Sequence, residues 1–217
     1  EDGVIIDMFQ PDSQDLYIIV NNADQALDNL SYDLSYFYAP ADFTQVEHTF
    51  EEGWQILGIP YYSLEYTPSD AFGFSDALFF GYDGDSYLLE SEIPGIYPGT
   101  AFWAYFPSET TRTAYLRESD LDTVSISKGW NMISAPFHHA FEWNQDVKVS
   151  AGTDTVAIDT SRAQDIIDPG IYTYDGSSSP GLYEDPHGPD DGHTIEPWQG
   201  FVIFARIDCS IIFPEPD

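Results

Sequence analysis

The residues best able to hold a metal ion or move a proton are a few histidines set among many carboxylates. His138 and His139 adjoin, with Glu142 three residues beyond His139. Neighbouring side chains of a strand point to opposite faces, so this pair cannot chelate one ion without a bend. His187 and His193 bracket Asp190-Asp191-Gly192, a turn-like acidic loop, and Asp190 and Asp191 with one of these histidines form a candidate surface metal site. Asp83-Gly84-Asp85-Ser86-Tyr87 places carboxylates at alternate positions and is followed by Glu90 and Glu92. Calcium takes several hard oxygen ligands, which makes Asp83, Asp85 and Glu90 candidate ligands and calcium the one cofactor to expect. The stretch lacks the full calcium-loop pattern with its fixed Gly and terminal Glu. The plainer reading of both acidic segments is a solvated turn.

Other chemistry finds little support. No Gly-x-Ser-x-Gly elbow, phosphate-binding glycine loop or dinucleotide fingerprint occurs, and Gly176–Gly181 reads as a flexible Ser-rich loop. With 38 acidic residues some carboxylates fall at glycosidase spacing by chance, so their presence identifies nothing. Cys209 is the only cysteine, which excludes an internal disulfide and a CxxC pair. It lies in the apolar run Cys209–Phe213 and reads as a buried strand residue. The expectation is a protein that is not an enzyme.

Aromatic side chains are the remaining candidates, since Tyr and Trp exposed on a β surface stack on sugar rings. Tyr61, Tyr62, Trp143, Tyr183 and Trp198 sit near turns, and Trp198 and Tyr183 are the candidate glycan contacts. Aromatics that recur at repeated positions are better explained by core packing. Asn29-Leu30-Ser31 is the sole glycosylation sequon.

The elements that must position these residues come from a duplicated chain. Across the 217 residues, Gly53–Pro60 recurs as Gly129–Pro136, Tyr82-Asp83-Gly84 as Tyr174-Asp175-Gly176, and Ile96–Trp103 as Ile195–Val202. The offset grows from 76 to 92 to 99 residues, so the second copy carries insertions, mainly around Lys148–Ala163. Gly-Trp opens a strand after a turn and should supply a large buried ring. Tyr-Asp-Gly with a following Tyr (Tyr87, Tyr183) signals a hairpin. Ser161–Ile167 can form a short helix capped by Ser161, with Ser69–Leu78 as a weaker counterpart. Residues 1–42 precede the repeats and offer strand-like runs at Val4–Phe9 and Leu16–Val20, with Tyr32–Tyr38 as a third. Val4, Ile5, Ile6, Met8 and Phe9 form a strand that either completes the first module's sheet or is lent to a neighbouring chain.

Composition bounds the setting. Hydrophobic residues make up 42% of the chain and aromatics 16%, ample for packed cores. The net charge of −32 repels nucleic acid and anionic membranes, so neither is an expected partner. No apolar run approaches a membrane helix, so no membrane insertion is expected. High salt, a calcium-rich exterior or a crowded assembly would each favour such acidity. The acidic start Glu1-Asp2-Gly3 reads as a mature product from which a leader has been removed, although a chosen boundary gives the same start.

The order Gly-Trp-Asn-Met-Ile-Ser-Ala-Pro (129–136), Tyr-Asp-Gly (174–176) and Ile-Glu-Pro-Trp-Gln-Gly-Phe (195–201) resembles a β-rich repeat of secreted bacterial and archaeal cell-surface proteins. The resemblance covers roughly residues 43–116 and 119–213. The first copy departs from it with Gln55 for Asn and Gly58-Ile59 for Ser-x, and the second with Trp198 where Pro-Gly is usual. It implies a secreted or cell-surface location and a scaffold, without implying a chemistry.

The expected architecture is all-β with little helix. It comprises an N-terminal β segment (1–42) and two related sandwich- or barrel-like modules in tandem (43–118 and 119–217). The expected function is an extracellular structural or adhesive subunit that assembles with copies of itself into a surface layer, sheath or filament. The alternative is a carbohydrate-binding module of a secreted enzyme with a polysaccharide as partner; a secreted hydrolase is a third class, requiring a cleft with two carboxylates of split pKa. If the acidity is an adaptation to screening, the melting temperature measured from molar salt down to a few millimolar should fall as ionic strength falls. An unchanged melting temperature would refute that origin.

Overall fold

The computed structural model describes residues 4–7, 17–20, 42–176, 182–183 and 186–214. The chain divides into two compact units, Glu1–Tyr38 and Ala39–Asp217. In the first, β1 (Val4–Asp7) and β2 (Tyr17–Val20) pair antiparallel, with Val4 opposite Val20 and Asp7 opposite Tyr17. Val4, Ile5 and Ile6 thus find backbone partners in their own chain. Met8, Phe9, the sequon Asn29 and the run Tyr32–Tyr38 lie outside the described residues.

The second unit holds both repeats. The first repeat contains β3 (Thr44–Phe50), β4 (Gly53–Gly58), β5 (Tyr61–Ser63), α1 (Pro68–Phe72), β6 (Leu78–Tyr82), β7 (Tyr87–Leu89), β8 (Ala101–Phe106) and β9 (Thr110–Glu118). Its two antiparallel sheets have the orders β3-β9-β5 and β4-β8-β6-β7. Phe50, Leu116 and Tyr61 from one sheet meet Leu57, Phe102, Phe106 and Phe79 from the other in a single buried cluster.

The second repeat contains β10 (Thr123–Ile126), β11 (Gly129–Ser134), β12 (Phe141–Glu142), β13 (Lys148–Ala151), β14 (Asp154–Ala157), β15 (Ile167–Tyr172), β16 (Tyr174–Asp175), β17 (Leu182–Tyr183), β18 (Thr194–Ile195), β19 (Gly200–Ala205) and β20 (Cys209–Ile212). Sheets β10-β20-β13-β14 and β11-β19-β15 enclose its core, with the pairs β12-β18 and β16-β17 beside them. The inserted stretch 148–163 builds the β13–β14 hairpin. The all-β expectation with little helix holds, in sandwich-like form and without a closed barrel.

Local signals explain where the elements stop. Thr67 caps α1 by accepting a hydrogen bond from the Asp70 N–H, Pro68 occupies its first turn, and Gly73 ends it in the left-handed region at φ 66°. The stretch 161–167 yields only a 3-10 turn at Ala163–Asp165, whose N-cap is Arg162 with no side-chain cap; Thr160 Oγ1 accepts from the Ala163 N–H just ahead of it. Asn131 knits the turn before β11: its amide donates to the carbonyls of Ser127 and Gly129, and its Oδ1 accepts from the Ser127 N–H. Gln55, at the matching position, keeps one of these bonds, donating to the carbonyl of Glu51, the counterpart of Ser127.

The two repeats meet through matched surfaces. Gly58 N–H donates to the Trp198 carbonyl at 2.8 Å, and Ser134 N–H donates to the Gly99 carbonyl at 3.0 Å. Gly58 corresponds to Ser134, and Gly99 to Trp198, so each bond is the repeat-equivalent of the other. The bridges Leu57–Gln199 and Ile133–Thr100 obey the same exchange. Such reciprocity defines an isologous, pseudo-twofold contact within one chain. Ile56, Met132 and Ala101 are buried at this contact. Met132 and Ser134 are therefore as buried as Ile133, so β11 is packed on both faces along its second half.

The close approach requires glycine. A Cβ on Gly58 would lie 2.1 Å from the Ser134 Cβ, and one on Gly200 would lie 2.7 Å from the Ala101 Cβ. In each repeat-equivalent pair one member has lost its side chain. Gly58→Ser should therefore destabilise the unit by roughly 3 kcal/mol, the upper end of overpacking costs. Ser134→Gly should cost about 1 kcal/mol through the lost hydrogen bond from Ser134 Oγ to the Thr100 carbonyl, 3.2 Å long. The double variant should recover most of the first loss in a denaturation cycle, since serine then fills the same gap from the equivalent strand. Simple additivity of the two losses would refute the pseudo-twofold account.

Candidate functional site

Strand alternation places one residue set in each core and the other on the outer sheet face. In β4, Leu57 faces the core while Trp54 and Ile56 face outward; in β8, Phe102 and Phe106 face the core while Trp103 and Tyr105 face outward. Ile56 is covered by the second repeat, whereas Trp54 remains 38% exposed. The equivalent Trp130 is 41% exposed. These tryptophans are not the buried rings expected from their place in the repeat. Each lies across neighbouring aromatics of its own sheet, Trp54 near Phe80 and Tyr105, and Trp130 near Tyr172 and Phe204.

These outward rings line a groove of about 530 Å³ between the repeats. Its aromatic walls are Tyr82, Tyr87 and Trp103 from the first repeat and Trp130, Tyr172 and Tyr183 from the second; among the described residues Asp85 is its one charged lining residue. A second groove, of about 440 Å³, is lined by Trp54, Phe80, Tyr87, Trp103 and Tyr174. The repeat alignment carries Trp54 to Trp130, Phe80 to Tyr172, Tyr87 to Tyr183, Trp103 to Val202 and Tyr174 to Tyr82. All five counterparts line the first groove. Strand register supports the equivalence independently: Phe80 pairs with Trp103 as Tyr172 pairs with Val202, and Tyr82 pairs with Tyr87 as Tyr174 pairs with Tyr183. The grooves adjoin, sharing Tyr87 and Trp103.

The groove is largely uncharged at neutral pH. Burial pushes the Tyr183 hydroxyl up to about 12, and Tyr87 beside it adds to the shift. Burial also raises Tyr82, reinforced by Tyr87 and by the charges of Asp85 and Asp83. Trp103 holds Tyr174 and Tyr183 edge-on, with ring centroids at 4.7 and 5.9 Å.

The carboxylates expected to bind metal have other duties. Asp83 accepts hydrogen bonds from the backbone N–H groups of Asp85 and Ser86 at 2.9 and 2.8 Å, which lower its pKa and close the β6–β7 hairpin. Glu90 accepts from the N–H and hydroxyl of Ser69 in the first turn of α1. Asp191 accepts from the Gly188 N–H, and Asp190 is exposed. Among the described residues no three His, Cys, Asp or Glu side chains converge to hold an ion. His138 and His139 lie in a bend, each against its own aromatic partner, Tyr61 and Phe137. Burial pushes the Cys209 thiol up to about 11, so the expected buried strand cysteine stays protonated.

Of the glycan candidates, Tyr183 is 48% exposed and lines the groove. Trp198 does not stand free. Its ring stacks on His48 at 4.1 Å and approaches Phe50, Tyr61 and Phe72, so it closes the first core from the second repeat. Trp143 and Tyr61 are buried as well, Trp143 donating its indole N–H to the Pro169 carbonyl at 2.9 Å. Sequence reasoning missed Trp54, Trp103, Trp130 and Tyr172 as site residues. The available signal was Phe102-Trp103-Ala104-Tyr105, where both faces of one strand are apolar and the second face needs a use.

Among the described residues no helix is long and apolar enough to cross a membrane. No protein family, curated protein or solved structure matches the chain.

The stacked His48 has a measurable consequence. Burial lowers its pKa from 6.5 to about 4. The unfolded imidazole takes up a proton near 6.5 and the folded one only near 4, so between these values the unfolded state binds more protons. Its contribution to stability is complete above 6.5 and is lost as pH falls towards 4. The melting temperature of the wild type should therefore fall further over this window than that of His48→Phe, whose ring can keep the stack on Trp198. Parallel pH profiles for the two proteins would refute this role.

Proposed function

We propose that this protein is an extracellular binding module that holds an extended, uncharged polysaccharide along its paired aromatic grooves. The observation that carries the reading is the repetition of the groove: the same outward Trp, Phe/Tyr and Tyr positions stand open in both copies. Rings left outside a core lose the stabilisation of burial, about 25 cal/mol per Å² of apolar surface, so keeping them exposed twice argues for a use. Pyranose faces present C–H groups that pack on such rings, and two adjoining sites suit a polymer with repeating units. The net charge of −32 disfavours acidic glycans. Among the described residues the grooves hold no pair of facing carboxylates.

Assembly through the N-terminal strand is the second reading. Its motivation is the apolar Val4–Asp7 strand, which among the described residues pairs with β2 along one edge. The groove favours the binding reading over it.

Affinity electrophoresis in gels containing neutral β-glucan, xylan or mannan should retard the wild type. Trp54→Ala and Trp130→Ala should each weaken retention about tenfold, the cost of one lost aromatic anchor. Both rings are partly exposed, so melting curves of these variants should stay near the wild type. Unretarded migration on every neutral glycan would refute the proposal.

A further inference from the structure

The two grooves differ in one respect that bears on their ligands. Among the described residues the larger one has Asp85 at its wall, whereas the smaller one is lined by aromatic rings. Asp85 follows the Asp-Gly of the first hairpin, where the second has Ser177. Six aromatic side chains around one carboxylate make a different receptor from an aromatic strip.

Ring faces carry negative electrostatic potential and attract cations placed over them, most strongly when water is excluded. The groove adds one full negative charge, and the protein's net charge of −32 surrounds it. Asp83, the nearest carboxylate along the hairpin, is occupied by the N–H groups of Asp85 and Ser86, while Asp85 is exposed towards the groove. The choice of cation follows from hydrogen-bond requirements. A primary ammonium has three N–H donors and a strongly held hydration shell to replace, and the groove offers it one carboxylate and phenol oxygens that also bond within the protein, Tyr82 to the Gly84 carbonyl and Tyr183 to Tyr87. A metal ion needs several oxygen ligands, and no such cluster exists among the described residues. A quaternary ammonium has no N–H donor and a methyl-covered surface, so it loses little on entering a ring-lined site. A groove of about 530 Å³ lies within the range that takes small molecules.

We infer that the groove between Trp103, Trp130 and Asp85 is an aromatic box for a quaternary ammonium group, carried by a small ligand or by a substituent on a larger one. This site goes beyond polysaccharide binding and does not depend on it, because among the described residues Asp85 lines one groove and not the other.

The test uses choline and its uncharged carbon isostere 3,3-dimethylbutan-1-ol as probes, titrated into the full chain at constant ionic strength. Binding is followed by tryptophan fluorescence and calorimetry. Choline should bind saturably and about tenfold or more tighter than the isostere, the margin expected of a cation–π site with a carboxylate. Asp85→Asn should remove most of that margin while leaving the weak binding of the isostere unchanged. Asp85 is exposed and caps no element, so near-ultraviolet circular dichroism of this variant should match the wild type. Trp130→Phe should weaken choline binding less than Trp130→Ala. Equal affinity for the two probes, absence of saturable choline binding, or an unaltered margin in Asp85→Asn would each overturn the inference. Loss of glycan retention with choline binding intact would refute the polysaccharide reading alone.

Discussion

The contact at Gly58 and Ser134 sets the geometry on which everything else depends. Backbones of β4 and β11 approach until a second Cβ would sit 2.1 Å from the first. At that distance a strand from each repeat can hydrogen-bond to the turn before β8 or β19 of the other, and both bonds form. Burial of Ile56, Met132 and Ala101 follows from the same approach. The contact cannot drift apart without breaking both bonds at once, and it cannot tighten because no side-chain atom is left to remove from Gly58. A rigid join of this kind lets residues from two sandwiches define one site.

The site is a consequence of covering only part of an outer sheet face. β4 and β11 lean on each other through Ile56 and Met132, while Trp54 and Trp130, two residues earlier, extend past the contact. Strand period two therefore sorts one face into a buried end and an open end. Because the join has pseudo-twofold character, the open ends come as a pair and the grooves between them are repeat-equivalent. The hairpins β6–β7 and β16–β17 then raise Tyr87 and Tyr183 as walls. Gly176 lies so close to the Trp54 carbonyl, 2.2 Å for an added Cβ, that the second hairpin is seated directly on the first repeat.

Much of the architecture was readable from residue order. The Gly-Trp and Asp-Gly landmarks gave strands and hairpins at the right places, since turn chemistry and alternation are local properties. The site was not readable, for a reason visible in β8. Phe102-Trp103-Ala104-Tyr105 is apolar on both faces, and sequence cannot say whether the second face meets another sheet, another repeat or water. Recurrence marks a core and a duplicated surface alike. Trp198 departs from the repeat pattern, and its half-buried ring packs on His48 and the first core. Among the metal candidates Asp83 and Glu90 accept hydrogen bonds from N–H groups of their own chain, whereas Asp85 and Asp190 are exposed.

Trp198 also shows how the two halves have become different parts. Its counterpart Gly99 sits at φ 90°, in a turn whose third position needs a left-handed residue, and an added Cβ there would meet Val124 at 2.4 Å. Trp198 keeps the left-handed conformation, φ 69°, although a bulky side chain makes that cost on the order of 1–3 kcal/mol. The offset is supplied across the join. The residue equivalent to Val124 is His48, a flat ring on which the indole stacks at 4.1 Å while its other edges reach Phe50 and Phe72. Glycine facing valine on one side and tryptophan facing histidine on the other are two solutions to one steric problem. Each requires its own partner: tryptophan at 99 would collide with Val124, and glycine at 198 would leave the first core uncovered. The halves are therefore no longer interchangeable, although their backbones remain equivalent. The grooves have diverged within the same frame: Asp85 follows the Asp-Gly of the first hairpin, and Ser177 follows that of the second. A frame that holds two equivalent sites rigid while permitting their linings to differ is suited to a ligand with two unlike ends or substituents.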